Sequence, residues 1–173
     1  MRKSNFLYIV LVVIIGIGFA GCTTNNDYVI KSNFDYVMPT ITKNGNFEAR
    51  STIYLRDIPG INLSREEILD LYLKNAWINI SGDISRGDDI NIYDITINGT
   101  TLTLDYYVNV GNPGSGGLDI SNDNAYINFM HDAMILLNNR GNIDVRIRGY
   151  SYMSAGNLYI TLCNNLDVTL REH

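Results

Sequence analysis

Three aspartates lie close together in the sequence, where they could coordinate a metal ion. Asp83, Asp88 and Asp89 belong to the run Gly-Asp-Ile-Ser-Arg-Gly-Asp-Asp at residues 82–89. Carboxylate oxygens are the ligands that Ca²⁺ prefers, and glycines allow a loop to wrap closely around an ion. A solvated acidic turn between two strands is the alternative. The three residues are therefore a candidate calcium site.

Aromatic side chains offer a second kind of chemistry, the stacking of sugar rings. Trp77 is the single tryptophan, and Tyr106 and Tyr107 are two of the 12 tyrosines. Amphipathic aromatic rings are enriched wherever one face is apolar and the other is wet, as at binding surfaces. Packing in the core and across strands is the alternative. If these three rings share one exposed face, the sequence predicts an aromatic platform for a glycan.

Cys22 is the residue that says most about where the protein works. Arg2 and Lys3 precede an uncharged, apolar run over residues 6–19, and the small residues Ala20 and Gly21 come next. The run is shorter than the roughly 20 residues that a membrane-spanning helix needs. A basic start, a short apolar run and small residues before a cut are the features of a secretory signal peptide. We therefore expect residues 1–21 to be removed.

The sequence Phe-Ala-Gly-Cys at residues 19–22 resembles the lipobox of bacterial lipoproteins. The resemblance implies that Cys22 carries a diacylglyceryl group and a further acyl chain such as palmitate, with residues 22–27 as a lipidated, flexible leader. Two or more acyl chains hold a protein stably on a membrane. It also implies an envelope location, at the outer membrane facing the periplasm, with surface exposure as the alternative. In size and Asn-rich β content, the body resembles small lipoproteins of unknown function from Bacteroidota-like bacteria.

Charge and composition narrow the classes of partner. The chain has a net charge of −5, and loss of Arg2 and Lys3 with the signal peptide brings the mature form to about −7. Nucleic acids reward clustered Lys and Arg, so we expect no nucleic-acid partner. The second cysteine, Cys163, has no disulfide partner if Cys22 is lipidated. His131 is the only histidine before the terminal His173, and no Cys/His spacing is typical of a zinc site.

Most of the mature sequence predicts short antiparallel strands. Asn-Gly pairs at residues 44–45 and 98–99 separate β-like runs, because both residue types tolerate the positive φ of a tight hairpin. In the run before the second pair, Ile90 and Ile92 share one parity and Ile95 and Ile97 the other, which predicts a β-bulge near residues 93–94. Alternating apolar residues at 143–147 and 158–170 predict two more strands.

Two helices are expected between the strands. Ser64 and Glu67 have the spacing of a capping box, which predicts a helix that ends near Ala76. A second helix is predicted over residues 122–139, with Ser121 or Asp123 as its N-cap and Gly141 as its stop. Asp119 begins a calcium-like spacing, but Met130 stands where an EF-hand loop needs Glu.

These signals predict a single β-rich domain over residues 28–173, mainly β, built as an antiparallel β-sandwich, immunoglobulin-like or similar, with two short helices. An α+β layer with both helices on one antiparallel sheet is the alternative. The function we expect is a lipid-anchored, non-catalytic binding or scaffolding module; a glycan-binding lipoprotein and an adhesin or fimbrial-type component are the alternatives. We expect no enzymatic activity, and no cofactor besides the lipid on Cys22 and the candidate Ca²⁺. The expected partners are the membrane, through the lipid, and an envelope protein or glycan.

Overall fold

A computed structural model describes residues 26–111, 114–152 and 155–172. In this part of the chain it contains eight strands, one short 3₁₀ turn and one α-helix. The strands are β1 (Asp27–Lys43), β2 (Asn46–Tyr54), β3 (Glu66–Gly82), β4 (Asp89–Ile97), β5 (Thr100–Asn109), β6 (Ser115–Asp119), β7 (Asn142–Ser151) and β8 (Ala155–Glu172). The 3₁₀ turn is Leu55–Asp57 and the helix, α1, is Asn124–Arg140.

All eight strands belong to one sheet, in the order β5-β4-β7-β2-β1-β8-β3-β6. Every described pair of neighbours is antiparallel, which confirms a mainly β, antiparallel fold. The sheet curls strongly, since a Cβ added to Gly116 of β6 would lie 2.9 Å from Cγ1 of Val108 in β5. The first and last strands therefore approach each other around a shared apolar core.

Both Asn-Gly hairpins are confirmed. Asn44 and Gly45 have φ values of 50° and 83°, and Asn98 and Gly99 have values of 47° and 89°. Positive φ at both central residues is the geometry that matches the twist of the flanking strands. The two turns join β1 to β2 and β4 to β5.

The bulge in β4 is also confirmed. Opposite both β5 and β7, the register shifts between Ile92 and Asp94. Ile92 and Ile95 are both fully buried, although their sequence positions differ by an odd number. Opposite β7, Tyr93 is the additional residue, and it keeps the isoleucines of both halves of β4 in the core; opposite β5, the additional residue lies in β5, between Thr103 and Tyr106.

The helix predicted from Ser64 to Ala76 is wrong, because residues 66–82 form strand β3. Register shifts between Ile68 and Asp70 and between Leu73 and Asn75 mark two irregularities opposite β8. Each adds a residue to an otherwise alternating pattern, which gives the buried residues a spacing close to that of a helix. These buried residues are Ile68, Leu71, Leu73, Ala76, Ile78 and Ile80. Glu66, within the supposed capping box, instead accepts hydrogen bonds from the Asn62 amide and the Tyr28 hydroxyl.

The second predicted helix is confirmed as α1. Asp123 is its N-cap, and its carboxylate accepts from the amides of Ala125 and Tyr126. Gly141 ends the helix in the left-handed conformation, with φ of 77°. Packed against β3 and β7, α1 buries an apolar stripe in the core, namely Tyr126, Met130, Ala133, Met134 and Leu137. In the described part of the chain, no helix has the length and hydropathy to cross a membrane.

The pairing between β1 and β2 is the shortest in the sheet. Their described register consists of the single pair Lys43 and Asn46 beside the turn. Further along, hydroxyl groups bridge the two strands: Tyr36 donates to the Thr52 carbonyl, and Thr40 donates to the Glu48 carbonyl, both at 2.8 Å. These side chains occupy carbonyls that a strand inserted between β1 and β2 would need.

Gly149 of β7 tests the packing at the β4 bulge. A Cβ at this position would lie 2.2 Å from the Asn91 carbonyl oxygen and 2.4 Å from the Phe47 ring. We expect Gly149→Ala to lower the free energy of unfolding by about 1–3 kcal/mol, because backbone and core must both move. Urea unfolding followed by circular dichroism measures the change.

Gly111→Ala is the control, since its Cβ would meet no atom within 4 Å and its φ is outside the left-handed region. We expect its stability to match or slightly exceed that of the wild type. Equal effects of the two substitutions would contradict the close approach of β4 to β7.

Candidate functional site

Polar side chains form rows across the outer face of β2, β7, β4 and β5. The register pairs residues of neighbouring strands directly opposite one another. Alternation along each strand places these residues on the face opposite the buried isoleucines. We call this set the outer ladder, and its members are Glu48, Arg50, Thr52, Asp94, Thr96, Thr101, Asp144, Arg146 and Arg148.

One row of the outer ladder is neutralised internally. Arg148 stands opposite Glu48 on one side and Asp94 on the other. Its Nε lies 3.1 Å from both Asp94 oxygens, and its Nη2 lies 2.6 Å from Oδ2. The hydrogen bond to Asp94 raises the pKa of Arg148 further above its usual value. This cross-strand ion pair satisfies a carboxylate that is almost fully buried.

The next row places two arginines side by side. Arg50 of β2 is directly opposite Arg146 of β7. Like charges in this position destabilise a sheet. Arg50 donates through Nε to Glu48, and this bond holds the pKa of the Glu48 carboxyl below its usual range, with the charges of Arg146 and Arg148 contributing.

Arg146 has no such counter-ion. Its Nη2 donates to the Thr96 hydroxyl at 3.1 Å, and that is its one hydrogen bond within the described chain. Its Nε is buried without a partner. Among the described residues, no carboxylate oxygen lies within 4.0 Å of its guanidinium. Within the described chain, Arg146 therefore forms no ion pair, and its charge is available for an external group.

A third row closes the other side of the arginine pair. The Thr52 hydroxyl donates to Asp144 Oδ1 at 2.7 Å. The Asp144 amide donates to Asn98 Oδ1 at 2.9 Å, and the Asn98 amide donates to the Asp144 carbonyl at 3.0 Å. These bonds tie the β4–β5 turn to β7, so the turn stands beside the arginine row as a fixed wall.

The rows surround a shallow depression of about 570 Å³ on the outer face. Arg50, Arg146, Thr52, Thr96 and Asn98 contribute to its lining. The site therefore presents guanidinium, hydroxyl and amide groups on strands that are held by the sheet. Such groups recognise ligands that carry a negative charge and hydroxyls, and the volume is in the range of small-molecule sites.

The predicted calcium residues do not converge. Asp83 accepts from the amide and side chain of Asn157, each at 2.9 Å. Asp88 accepts from the Ser85 amide at 2.7 Å, and Asp89 accepts from Asn109 at 2.8 Å. Among the residues that the structure describes, no group of three or more His, Cys, Asp or Glu could hold a metal ion. These carboxylates instead organise the loop between β3 and β4.

The three predicted platform rings lie on two faces of the sheet. Tyr106 is directly opposite the buried Ile92 and donates to Asp123 at 2.5 Å, so it belongs to the core side. Tyr107, the next residue, is 61% exposed on the outer face. Trp77 is half-buried opposite Cys163 on β8. Because neighbouring residues of a strand point in opposite directions, Tyr106 and Tyr107 cannot form one platform.

The remaining predicted residues have structural surroundings. Cys163 is buried, and burial raises the pKa of its thiol to about 11. His131 packs edge-on against Tyr72, with ring centroids 6.1 Å apart. Cys22 lies outside the described residues, so its lipidation stays a prediction.

Sequence reasoning missed the arginine pair as a site. The alternation of β7 placed Arg146 and Arg148 on one strand face, but Arg50 lies almost 100 residues earlier in the sequence. Only the β2–β7 register brings Arg50 and Arg146 together. The available local signal was that Arg50 shares its parity with Glu48 and Thr52.

Comparisons with known proteins identify no family and give a weak structural similarity. No family model matches the sequence, and no curated protein matches it. A solved structure with similarity to this chain is the decameric BFDV capsid protein, with a TM-score of 0.36 and 11% identity. The match covers 85% of this chain and 100% of the capsid chain. Similarity at this level carries no argument about function.

Double-mutant cycles test the charge arrangement of the outer ladder. For Arg50→Gln and Arg146→Gln, we expect a repulsive coupling of about 0.2–1 kcal/mol in the free energy of unfolding, because like charges face each other. The double variant should then be less stable than the two single changes predict by addition. Urea unfolding of the four proteins gives this coupling.

The cycle of Asp94→Asn with Arg148→Gln is the control, and its coupling should have the attractive sign. An attractive or absent coupling between Arg50 and Arg146 would show that the two guanidinium groups do not confront each other.

Proposed function

We propose that this protein is a lipid-anchored envelope protein that acts as a non-catalytic binding module. The observation that carries the proposal is the Arg146 guanidinium, which has no carboxylate oxygen within 4.0 Å among the described residues and lines a concave, polar surface. Because the sheet already holds this side chain, a ligand that binds its charge loses little conformational entropy in ordering it.

The neighbouring groups support binding rather than catalysis. General acid–base chemistry needs a side chain that can reach the substrate and exchange a proton with it. Here Asp94 is held by Arg148, Glu48 by Arg50 and Asp144 by Thr52. The Thr96 hydroxyl is hydrogen-bonded to Thr101 and accepts from Arg146. Each of these groups therefore has an internal hydrogen-bond partner, although Oδ2 of Asp144 itself has none within the described chain.

The anchor defines where this binding would occur. In this proposal the lipid is on Cys22, and β1 begins at Asp27, five residues later. A fully extended chain spans at most about 3.5 Å per residue, so the start of β1 would lie within about 20 Å of the membrane. Such a short tether would present the module to ligands close to the membrane surface.

We also propose that the two halves of the sheet form the predicted β-sandwich. β5-β4-β7-β2 and β1-β8-β3-β6 each contain four strands, and their described β1–β2 pairing is confined to the hairpin. We take these halves as the two layers that enclose the core. The outer ladder then lies on the solvent side of the first layer.

A glycan is the second element of the proposal, and the lining of the depression favours it. Thr52, Thr96, Thr101 and Asn98 supply hydroxyl and amide groups of the kind that pair with sugar hydroxyls. This support is independent of the aromatic platform. It comes from hydrogen-bonding groups on β2, β4 and β5.

Expression of the full chain in a Gram-negative host tests the anchor. We expect the wild type in the membrane fraction, with mass spectrometry showing a mature N-terminus at a diacylglyceryl-modified Cys22. We expect Cys22→Ser to lose the modification and membrane retention, because the acyl chains supply the attachment.

Cys163→Ser is the matched control, since this thiol is buried in the domain and we expect it to carry no lipid. It should remain in the membrane fraction. An unmodified Cys22, or a chain that still begins at residue 1, would refute the anchor.

A further inference from the structure

We infer that the depression of the outer ladder binds a carboxylate-bearing sugar of the uronic acid type, with Arg50 and Arg146 holding the carboxylate. This inference rests on the proposed binding function and names its ligand class. Its carrying observation is that the register pairs Arg50 with Arg146 and that both residues line one depression with hydroxyls and amides; among the described residues, no carboxylate oxygen lies within 4.0 Å of the Arg146 guanidinium.

The arginine pair points to a carboxylate. A guanidinium presents donors in a planar fork that matches the two oxygens of a carboxylate. Arg146 uses Nη2 on Thr96, and its Nη1 has no partner within the described chain. Arg50 uses Nε on Glu48, which leaves both of its terminal nitrogens for a ligand. A carboxylate between the two side chains would relieve the repulsion that they exert on each other.

The surrounding charges limit how negative the ligand can be. Glu48, Asp94 and Asp144 balance the three arginines of the outer ladder, so the surface as a whole is close to neutral. A polyanion such as a polyphosphate would meet these carboxylates and be repelled. A ligand with a single carboxylate seated at the arginine row would avoid this cost.

The rest of the lining favours a polyhydroxyl ligand around that carboxylate. The Asp144 carboxylate can accept from a sugar hydroxyl beside the arginine pair, since only its Oδ1 is used, by Thr52. Thr101 and Asn98 line the same depression from β5 and from the β4–β5 turn. Hydroxyl and carboxylate recognition are thus placed side by side, which is the pattern of an acidic sugar.

The test measures binding of the detergent-solubilised mature protein by isothermal titration calorimetry. The probes are galacturonate, which carries one carboxylate, its methyl ester and tripolyphosphate. We expect galacturonate to bind at least about tenfold more tightly than the ester, because the ester cannot accept charge-assisted bonds from both arginines. We expect tripolyphosphate to bind more weakly than galacturonate.

Substitutions locate the site. We expect Arg146→Gln and Arg50→Gln each to weaken galacturonate binding by at least about tenfold, with little effect on the ester. Arg50→Gln keeps the test valid if the less exposed Arg146 proves necessary for folding, since the Arg50 side chain is 67% exposed. Arg86→Gln, an exposed arginine of the β3–β4 loop, is the control and should bind like the wild type.

The possible results distinguish failure of the uronic acid inference from failure of the proposed binding function. If the acid and its ester bind equally and Thr52→Ala loses binding of both, the protein is a glycan-binding module that does not recognise the carboxylate. This result would overturn the inference and leave the proposed function in place. Tighter binding of tripolyphosphate than of the acidic sugar would overturn the inference that the ligand is a sugar. Absence of binding by every probe, in a protein that is folded and lipidated, would overturn the uronic acid while the anchor stands.

Discussion

One additional residue in β4 decides which side chains form the outer face of the sheet. Tyr93 shifts the alternation between Ile92 and Asp94, so that the isoleucines on both sides of it stay in the core. Without this shift, Ile95 would face solvent and Asp94 would enter the core, where an ionised carboxylate is costly. The bulge therefore does more than accommodate a local irregularity. It places Asp94 and Thr96 opposite Arg148 and Arg146, and the polar rows depend on it.

Two neighbouring rows of the outer ladder differ in how their arginines are paired. Arg148 is neutralised by Asp94, and this pair closes the sheet over the bulge. One row away, Arg146 is paired with Arg50, and its one hydrogen bond within the described chain is to the neutral Thr96 hydroxyl. Repulsion of this kind lowers stability by a fraction of a kcal/mol or more, and binding surfaces commonly retain such local costs. The contrast between the rows is the physical basis for assigning binding to the second one.

Local sequence patterns predicted the parts of the fold that depend on neighbouring residues. Asn-Gly pairs predicted two hairpins, the parity change at Tyr93 predicted the bulge, and Gly141 predicted the end of α1. β3 was mistaken for a helix at its start because two irregularities gave its buried residues a nearly helical spacing. The binding surface could not be predicted, since Arg50 meets Arg146 only through strand pairing across almost 100 residues.

The most direct test of this account is the comparison of two single-residue deletions, followed by urea unfolding and amide NMR spectra. Deletion of Tyr93 leaves β4 with strict alternation opposite β7, and β5 can follow by a two-residue shift that preserves its faces. We expect this protein to fold and unfold cooperatively. Deletion of Thr96 moves Ile97 to the wrong face, and we expect it to abolish the folded state. Equal damage from the two deletions would contradict the role of Tyr93 as the additional residue.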